Sequence, residues 1–329
     1  MRDYASLTRR GKLARLHSVA VSALQRYALP VSGVALHCFA TNPLYRVHTS
    51  MGERFILRLA TPGWRSESDL RAEAQWLEAL AGDTDIPVPR IIRAVDGATV
   101  LPMTMAGSAD IRYATLMSWQ PGRLLANYLT PVNLQLLGSL FAQLHIHGKS
   151  WKPPHEFSAR TFQHYLSRGE PGVLFGEYVL NVYEEHELKQ LRRLHERVES
   201  AYASLDREDL RVIHCDLWHD NVKLHRGILY PFDFEDTVWG FRIHDLAMAM
   251  LDLLEVVGTE RYPRLLDAVR RGYEQHLAWP EGEMEVLQIG RLLWKINYVA
   301  RFAREHLSAM VNRHVPVFDH YERSGELQL

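Results

Sequence analysis

The segment VIHCDLWHDNVKL, from Val212 to Leu224, places two histidines, two aspartates, an asparagine and a cysteine in eight consecutive residues. Burying so many polar groups is costly unless they pair with a metal ion, a phosphate or other side chains. The overlapping stretch KLHRGILYPF alternates around His-Arg-Gly and predicts a tight hairpin. Because a hairpin returns the chain to its starting end, we expect Asp233 to lie beside Asp216 and Asn221.

Two carboxylates and one amide oxygen would then meet at the open end of this hairpin. Oxygen ligands of this kind suit Mg²⁺, which keeps several waters or bridges phosphates. Phosphoryl transfer needs few protein ligands besides a carboxylate that accepts the proton of the attacking hydroxyl. Taken singly, each of these residues could instead be a turn former or a cap. Their order and spacing together favour a site.

Composition limits the classes of protein that need to be considered. The chain has 329 residues, 47% hydrophobic and 23% charged, with a net charge of −1. This length favours two modest domains or lobes, although one large domain is also compatible with it. The absence of a basic excess argues against nucleic acid as a partner. The oligomeric state is left open.

Three features predict a cytoplasmic protein with no membrane partner. Cys38 and Cys215 are the only cysteines, so there is no disulfide framework, and a reducing compartment fits best. The N-terminal residues lack the apolar core of a signal peptide. The apolar run IHDLAMAMLDLLEVV contains Asp245 and Asp252 and is too short to span a bilayer, so it predicts a buried helix.

The predicted secondary structure differs between the first third of the chain and the rest. A helix predicted over 11–27 is followed by the β-rich stretches GVALHCFA, LYRVHTS and RFILRLA, which predict an antiparallel meander. SESDLRAEAQWLEALAG predicts a capped helix, and IPVPRIIRAVDG and IRYATLMSWQPG predict two more strands. Beyond Gly122 most segments are helical, including the long charged stretch from Glu177 to Leu205 and three helices up to about Met310.

We therefore predict an α+β chain with two lobes. A small antiparallel β-rich lobe would cover residues 1–118, and a larger, mostly helical lobe would cover residues 119–329. The connector would lie at Ser118 to Gly122. A cleft between two lobes is a usual place for a ligand.

The motifs HCDLWHDN and FDFED, followed by DLA at 245–247, resemble those of the aminoglycoside phosphotransferase and choline kinase superfamily. GFRIHDLA is also similar to the branch of the stress-response kinases and type II homoserine kinases. The likeness extends from about Gly33 to Leu307. It implies a two-lobed, protein-kinase-like fold and a kinase that uses ATP, or GTP as the alternative, with Mg²⁺.

The resemblance also implies roles for individual residues. Asp216 would be the catalytic base, and Asn221 and Asp233 would be metal ligands. His214 and Asp245 would brace the loop. The nucleotide site would be formed by Arg58, Glu73, Asn42, Met117 and Trp119.

Arg58 and Glu73 are also marked by their positions. Arg58 lies between two leucines of a predicted strand, and Glu73 shares a helical face with apolar residues three and four positions away. A carboxylate on an apolar face needs a partner, and Arg58 is the natural one. A solvated surface pair is the alternative.

The acceptor is expected to be a hydroxyl of a small amino alcohol, amino acid or aminosugar. A protein serine or threonine is the alternative within the same chemistry. Asp220, Glu235 and Asp236 either hold a cationic acceptor or are solvated, and the sequence leaves this open.

Two other classes of function remain to be weighed. A non-catalytic nucleotide-binding pseudokinase is supported only by Lys223, which stands where the family has an apolar residue. A metal-dependent hydrolase would use the histidines of HCDLWHD, but a zinc-ligand spacing is lacking. We interpret His145 and His147 as structural, Cys215 as a packing residue, and Trp294 and Tyr298 as core or cleft wall.

Overall fold

The computed structural model describes residues 3–166 and 169–329, and the chain divides into two compact units. Each unit is assembled from separated pieces of sequence. The first contains the chain up to Gly122 together with Lys152–Ala159 and Tyr230–Asp236. The second contains Arg123–Trp151, Arg160–Leu229 and Thr237–Leu329.

The first unit is an antiparallel sheet with two helices. Its helices are α1 (Arg9–Leu24) and α2 (Glu67–Asp83). Its strands are β1 (Val31–Phe39), β2 (Pro43–Thr49), β3 (Arg54–Leu59), β4 (Ile91–Ile92), β5 (Leu101–Thr104) and β6 (Ile111–Ser118). The strand order is β1-β2-β3-β6-β4, with β5 also paired to β6, so the predicted meander of the first three strands is confirmed.

Two predictions about this sheet need correction. IPVPRIIRAVDG contributes only the two residues Ile91–Ile92, because Pro87 and Pro89 lack the N–H that a ladder requires. The strand Leu101–Thr104 was not predicted, since Pro102 within it hides the pattern. The helix predicted over 11–27 begins and ends slightly earlier, at Arg9–Leu24, where Thr8 caps its first turn.

Helix α2 has the boundaries that its capping residues dictate. The side chain of Ser66 accepts from the N–H of Asp69, and the Asp69 carboxylate accepts from the N–H of Ser66 at 3.0 Å. Such a reciprocal capping box satisfies two main-chain donors at the start of a helix. The start of α2 is thereby fixed, and with it the face on which Glu73 lies.

The second unit is mostly helical. Its helices are α3 (Pro131–Ser150), α4 (Glu177–Leu180), α5 (Glu185–Ala203), α6 (Arg242–Tyr273), α7 (Met284–Phe302) and α8 (Leu307–Ser324). Its short strands are β7 (Arg123–Leu124), β8 (Arg211–Ile213), β9 (Val222–His225) and β11 (Val238–Gly240), while β10 (Ile228–Pro231) leads out of it. The last helix therefore continues well beyond Met310, where the prediction ended.

The charged stretch predicted as one long helix is divided. After α4 ends, the chain turns and starts α5 anew, with the Glu187 carboxylate accepting from the main-chain N–H of Glu184 at 2.7 Å. Helix α6 contains the buried apolar run predicted from the sequence. The helix is interrupted directly after this run, at Gly258, which has a φ of 73°. No helix in the described part of the chain is long and apolar enough to cross a membrane.

Glycines allow α3 to pack unusually close to its neighbours. A Cβ atom at Gly138 would overlap the carbonyl oxygen of Val269 on α6, and one at Gly148 would overlap that of Val212 on β8. Only glycine permits such backbone approaches. The second contact matters for the site, because β8 leads directly into the polar segment that begins at His214.

The predicted hairpin after the polar segment is confirmed. Strands β9 and β10 are neighbours in a three-stranded sheet with β7. The turn residues Arg226 and Gly227 have φ of 52° and 79°. Positive φ at both central residues is typical of the two-residue hairpin turn. The predicted α+β class, with an antiparallel N-terminal part and a helical C-terminal part, is also confirmed.

Candidate active site

A buried ion pair joins β3 to α2 in the first unit. Arg58 donates from Nη1 to Glu73 Oε1 at 3.0 Å and from Nη2 to Oε2, so the pair is bidentate. The side chains of Arg58 and Glu73 are 3% and 1% exposed. The alternative of a solvated surface pair is therefore excluded for these two residues.

Arg58 is surrounded by more carboxylates than its single positive charge can neutralise. Besides Glu73, its Nη1 lies 3.5 Å from Glu235 and 3.8 Å from Asp233. Burial alone would lower the pKa of Arg58, but the three carboxylates outweigh it, and the pKa lies above its ordinary value. The arginine stays charged. The cluster around Arg58 therefore contains three carboxylates for one guanidinium.

Glu235 and Asp236 have partners inside the first unit. Glu235 accepts from Asn42 Nδ2 at 2.6 Å and from Trp64 Nε1 at 2.9 Å, in addition to its contact with Arg58. Asp236 accepts from Arg65, and both carboxylates are buried. Neither side chain is solvated. Both carboxylates are engaged by residues of the protein, so they are not available to bind an acceptor. They instead stabilise the cluster around Arg58.

The remaining residues predicted for the nucleotide site lie in the same sheet or directly after its strands. Asn42 follows β1, and its side-chain oxygen also accepts from the N–H of Thr61 at 2.9 Å, so both ends of its amide hold the loop in place. Met117 is buried in β6, opposite Ile56 and Ile91. Trp119 contacts three side chains of neighbouring strands, His37, Arg46 and Arg54. Their contact with a nucleotide stays a prediction.

The polar segment of the second unit forms a tight loop. Cys215 has φ of 66°, in the left-handed region that residues other than glycine seldom adopt. Asn221 donates from Nδ2 to both the main-chain oxygen and Oδ2 of Asp216, each at 2.9 Å. Asp216 itself keeps a side chain that is 27% exposed. The loop therefore presents one oriented, accessible carboxylate.

Asp245 at the start of α6 holds this loop through its main chain. Its Oδ1 accepts from the N–H of Cys215 at 2.8 Å, and its Oδ2 lies 3.1 Å from Nε2 of His145. Nδ1 of His145 is 2.9 Å from the Tyr273 hydroxyl. Burial lowers the pKa of His145, so the imidazole is neutral near pH 7. His214, fully buried, has its Nδ1 3.3 Å from the N–H of Asp216.

His145, which the sequence indicates as structural, is the buried partner of Asp245. Arg291 is a residue of this region that the sequence does not signal. Its Nη2 lies 3.9 Å from Asp216 Oδ1. Its position on α7 gives no local signal, because one arginine on an amphipathic helix is ordinary.

Arg291 lines a small cavity beside the loop. The aromatic side chains of Phe162, Tyr165, Tyr202 and Trp294 form much of its wall, together with Cys215 and Arg291. Trp294 stacks on Tyr298, with ring centroids 5.4 Å apart, so these two aromatics form a cavity wall and its support. The Cys215 thiol packs at 3.7 Å from Nε2 of His244.

Acidic groups are concentrated near this cavity. Burial raises the pKa of Asp252. The positive charges of Arg291 and Lys295 oppose this rise, and the negative charges of Glu255 and Asp220 add to it. Lys295 is itself paired to Glu255 at 2.6 Å. Asp220 is partly exposed and thus stays a candidate for an acceptor contact.

The structure also bears on the metal chemistry. Among residues 3–166 and 169–329, no group of three His, Cys, Asp or Glu side chains is arranged to hold a metal ion. Asn221 and Asp216 belong to the second unit and Asp233 to the first, and a shared metal site stays a prediction.

Comparison with known families decides the class of the protein. Residues 40–284 match the family model of the APH phosphotransferase enzyme family. The chain belongs to this family. As an APH phosphotransferase it is an enzyme that transfers a phosphoryl group to an alcohol group, which sets aside the pseudokinase alternative.

Similar solved structures confirm the kinase-like fold. The amicoumacin kinase hAmiN, in complex with AMP-PNP, Ca²⁺ and Ami, is 16% identical, with 95% of this chain and 96% of that chain covered and a TM-score of 0.75. The microcompartment-associated aminopropanol kinase is 20% identical, with 95% and 99% covered and a TM-score of 0.73.

Two sequence relatives have no described activity. An uncharacterized protein of Deinococcus radiodurans is 28% identical, over 92% of this chain and 89% of the relative. One of Synechocystis is 34% identical over 110 residues, 33% of this chain. The Synechocystis match covers only 29% of that protein.

Proposed function

We propose that this phosphotransferase moves the γ-phosphoryl group of ATP, with Mg²⁺, to a hydroxyl of a small amine-bearing molecule. The candidates are an amino alcohol, an amino acid or an aminosugar, and GTP is the alternative donor. The observation that carries the proposal is the loop in which Asn221 orients Asp216 while Asp245 holds the main chain. We place the enzyme in the cytoplasm, which the two free cysteines favour.

In this proposal Asp216 accepts the proton of the acceptor hydroxyl as its oxygen attacks the γ-phosphorus. The bond from that phosphorus to the β,γ-bridging oxygen breaks, and ADP leaves. A positioned general base contributes about 10²–10⁴-fold to the rate. The rest must come from alignment of the reactants and from charge neutralisation. Arg58, held by Glu73, would contact the donor phosphates.

The side chain of Asn221 has the chemistry that a Mg²⁺ ligand needs. Its Nδ2 is engaged by Asp216, which fixes the amide and leaves Oδ1 as the acceptor at its other end. Asp233 offers a carboxylate that is 44% exposed. Both would supply hard oxygen atoms. When bound, the ion would neutralise charge on the phosphates.

An amine-bearing acceptor is supported by the charges around the second unit's cavity. Asp220 and Glu255 act on the buried Asp252, which also interacts with Arg291 of the cavity wall. The aromatic walls of this cavity suit a compact organic molecule. The names of the similar structures, amicoumacin kinase and aminopropanol kinase, favour a small-molecule acceptor. A protein serine or threonine is the second candidate, favoured by the GFRIHDLA segment.

The test begins with thermal unfolding in the presence of Mg²⁺ with ATP, GTP or neither. A nucleotide at a hundred times its Kd adds about 2.7 kcal/mol to the stability of the folded state. Small hydroxylated amines and generic protein substrates are then screened for phosphorylation with the nucleotide that binds. Phosphorylation of proteins alone would favour the second candidate, and no product with any acceptor would refute the proposal.

Asp216→Asn is the decisive variant for the base. It is expected to lower turnover by at least about 10²-fold while nucleotide binding stays unchanged. Asp267→Asn, in an exposed pair with Arg271 on α6, serves as the matched control. Turnover that survives the Asp216 substitution would remove Asp216 from the mechanism.

A further inference from the structure

Arg291 is a mostly buried arginine on α7 that lines the aromatic cavity of the second unit. Its side chain is 19% exposed. Within the described part of the chain, its Nε is buried without a hydrogen-bond partner. The nearby carboxylate of Asp216, at 3.9 Å from Nη2, lies beyond hydrogen-bond distance. A buried donor left without a partner is costly, so it requires an explanation.

The guanidinium of Arg291 packs on an aromatic ring. Its Cζ lies 4.4 Å from the ring centroid of Trp294. Trp294 is held in turn by its Nε1, which donates to Glu170 at 2.7 Å, and by the stack on Tyr298. A partly desolvated guanidinium that packs on a supported aromatic ring and has an unsatisfied N–H is suited to bind anionic oxygen.

The position of Arg291 relates it to the reaction. It lines the same cavity as Cys215, the residue before Asp216. During transfer the acceptor oxygen lies within hydrogen-bond reach of Asp216 and next to the phosphorus. Arg291 lies 3.9 Å from the Asp216 carboxylate. Its guanidinium is therefore within reach of groups bonded to the carbon skeleton that carries the acceptor oxygen, and of the oxygens bonded to the phosphorus.

We propose that Arg291 binds an anionic oxygen group beside the reacting hydroxyl. This inference rests on the proposed function, and it deepens the description of the same site. The group has two possible sources with the same chemistry. One is a carboxylate of the acceptor, which would make the acceptor a hydroxylated amino acid. The other is the phosphoryl group in transfer, whose equatorial oxygens gain from a cation.

The experiment uses acceptors in pairs that differ only by a carboxylate. Serine is paired with ethanolamine, threonine with 1-amino-2-propanol, and homoserine with 3-amino-1-propanol. Arg291→Gln and Arg291→Lys are compared with the native enzyme on each pair. Loss of a charge-assisted contact is expected to cost about 10- to 100-fold. An increase in KM confined to the carboxylate member identifies the acceptor as the source.

A fall in kcat of similar size for every acceptor, with KM unchanged, identifies the phosphoryl group instead. If Arg291 served only to keep Asp216 ionised, Arg291→Lys would retain activity, and Arg291→Gln would recover activity as the pH is raised. That result, or unchanged kinetics in both variants, would overturn the proposal.

Arg301→Gln is the matched control, because Arg301 lies on the same helix and stacks on Phe302 at 4.6 Å. Thermal unfolding of each variant separates loss of folding from loss of binding. The proposed function and the role of Arg291 are also tested separately. A native enzyme that phosphorylates no acceptor refutes the proposed function, whereas one that is active but indifferent to Arg291 refutes only this inference.

Discussion

Replacing Asp245 by alanine would remove the acceptor of two buried contacts at once. Its Oδ1 accepts from the N–H of Cys215 and its Oδ2 faces Nε2 of His145. Asp245 is 1% exposed and His145 is fully buried, so the protein shields both contacts from solvent. In the neutral tautomer that suits these contacts, His145 donates from Nε2 to Asp245 and accepts at Nδ1 from the Tyr273 hydroxyl.

The expected magnitude follows from the two groups that lose their partner. A buried donor left without an acceptor costs about 1–3 kcal/mol, so the variant should lose roughly 2–6 kcal/mol of unfolding free energy. The loop would also relax, because the left-handed conformation of Cys215 is worth about 1–2 kcal/mol of strain. Asp216 would then lose its position, and kcat should fall with stability.

Asp245→Asn separates the hydrogen bonds from the charge. The amide oxygen would still accept from the N–H of Cys215. Its NH₂ group could donate to His145 in the other neutral tautomer, in which the hydrogen lies on Nδ1 and faces Tyr273. The asparagine variant should therefore lose less stability than the alanine variant.

Urea denaturation of both variants measures the loss, and steady-state kinetics of the same preparations measures kcat. Asp267→Ala, which removes an exposed carboxylate from α6, controls for surface effects. Equal losses for asparagine and alanine would refute the reasoning. So would a loss below about 1 kcal/mol for alanine, which is less than one unpaired buried donor costs.

Three further predictions follow from buried contacts. Glu73→Gln should cost about 1.5–3 kcal/mol in urea denaturation, because Arg58 loses its bidentate carboxylate but keeps Glu235 and Asp233 nearby. An unchanged unfolding free energy would contradict this. Gly148→Ala should destabilise by about 1–3 kcal/mol and lower kcat, since its methyl group would overlap the Val212 carbonyl; an unchanged Tm would count against this. Because burial lowers the pKa of His145, its contribution to the unfolding free energy is complete above about pH 6.5 and declines as the pH falls toward the folded-state pKa. His145→Gln should therefore reduce the loss of unfolding free energy measured between pH 7 and 5. An equal loss in the native protein and the variant would exclude His145 as the source.

Sequence patterns predicted the parts of the molecule that local physics decides. The capping box of α2 and the turn at Arg226 and Gly227 are signalled by neighbouring residues. The Arg58–Glu73 pair could also be predicted, because each residue interrupts an apolar pattern where only a partner makes burial tolerable. These predictions need no knowledge of distant contacts.

Contacts between distant parts of the chain could not be predicted in this way. Glu235 and Asp236 lie about 170 residues from their partners Trp64 and Arg65, and nothing in their own segments distinguishes a buried carboxylate from a solvated one. The same applies to Asp245, which meets a histidine 100 residues earlier. Only the folded chain decides which of many polar residues share a neighbourhood.

The discontinuity of the first unit has a consequence for biosynthesis. While residues 123–229 are being translated, the segment Tyr230–Asp236 does not yet exist. Until it emerges, Arg65 lacks Asp236, and Arg58 lacks two of its three carboxylates, those of Asp233 and Glu235. During this part of translation the amino-terminal sheet therefore carries arginine charges whose carboxylate partners have not yet been synthesised. We expect nascent chains stalled before residue 236 to be more sensitive to protease in this unit than chains stalled shortly after the segment has emerged.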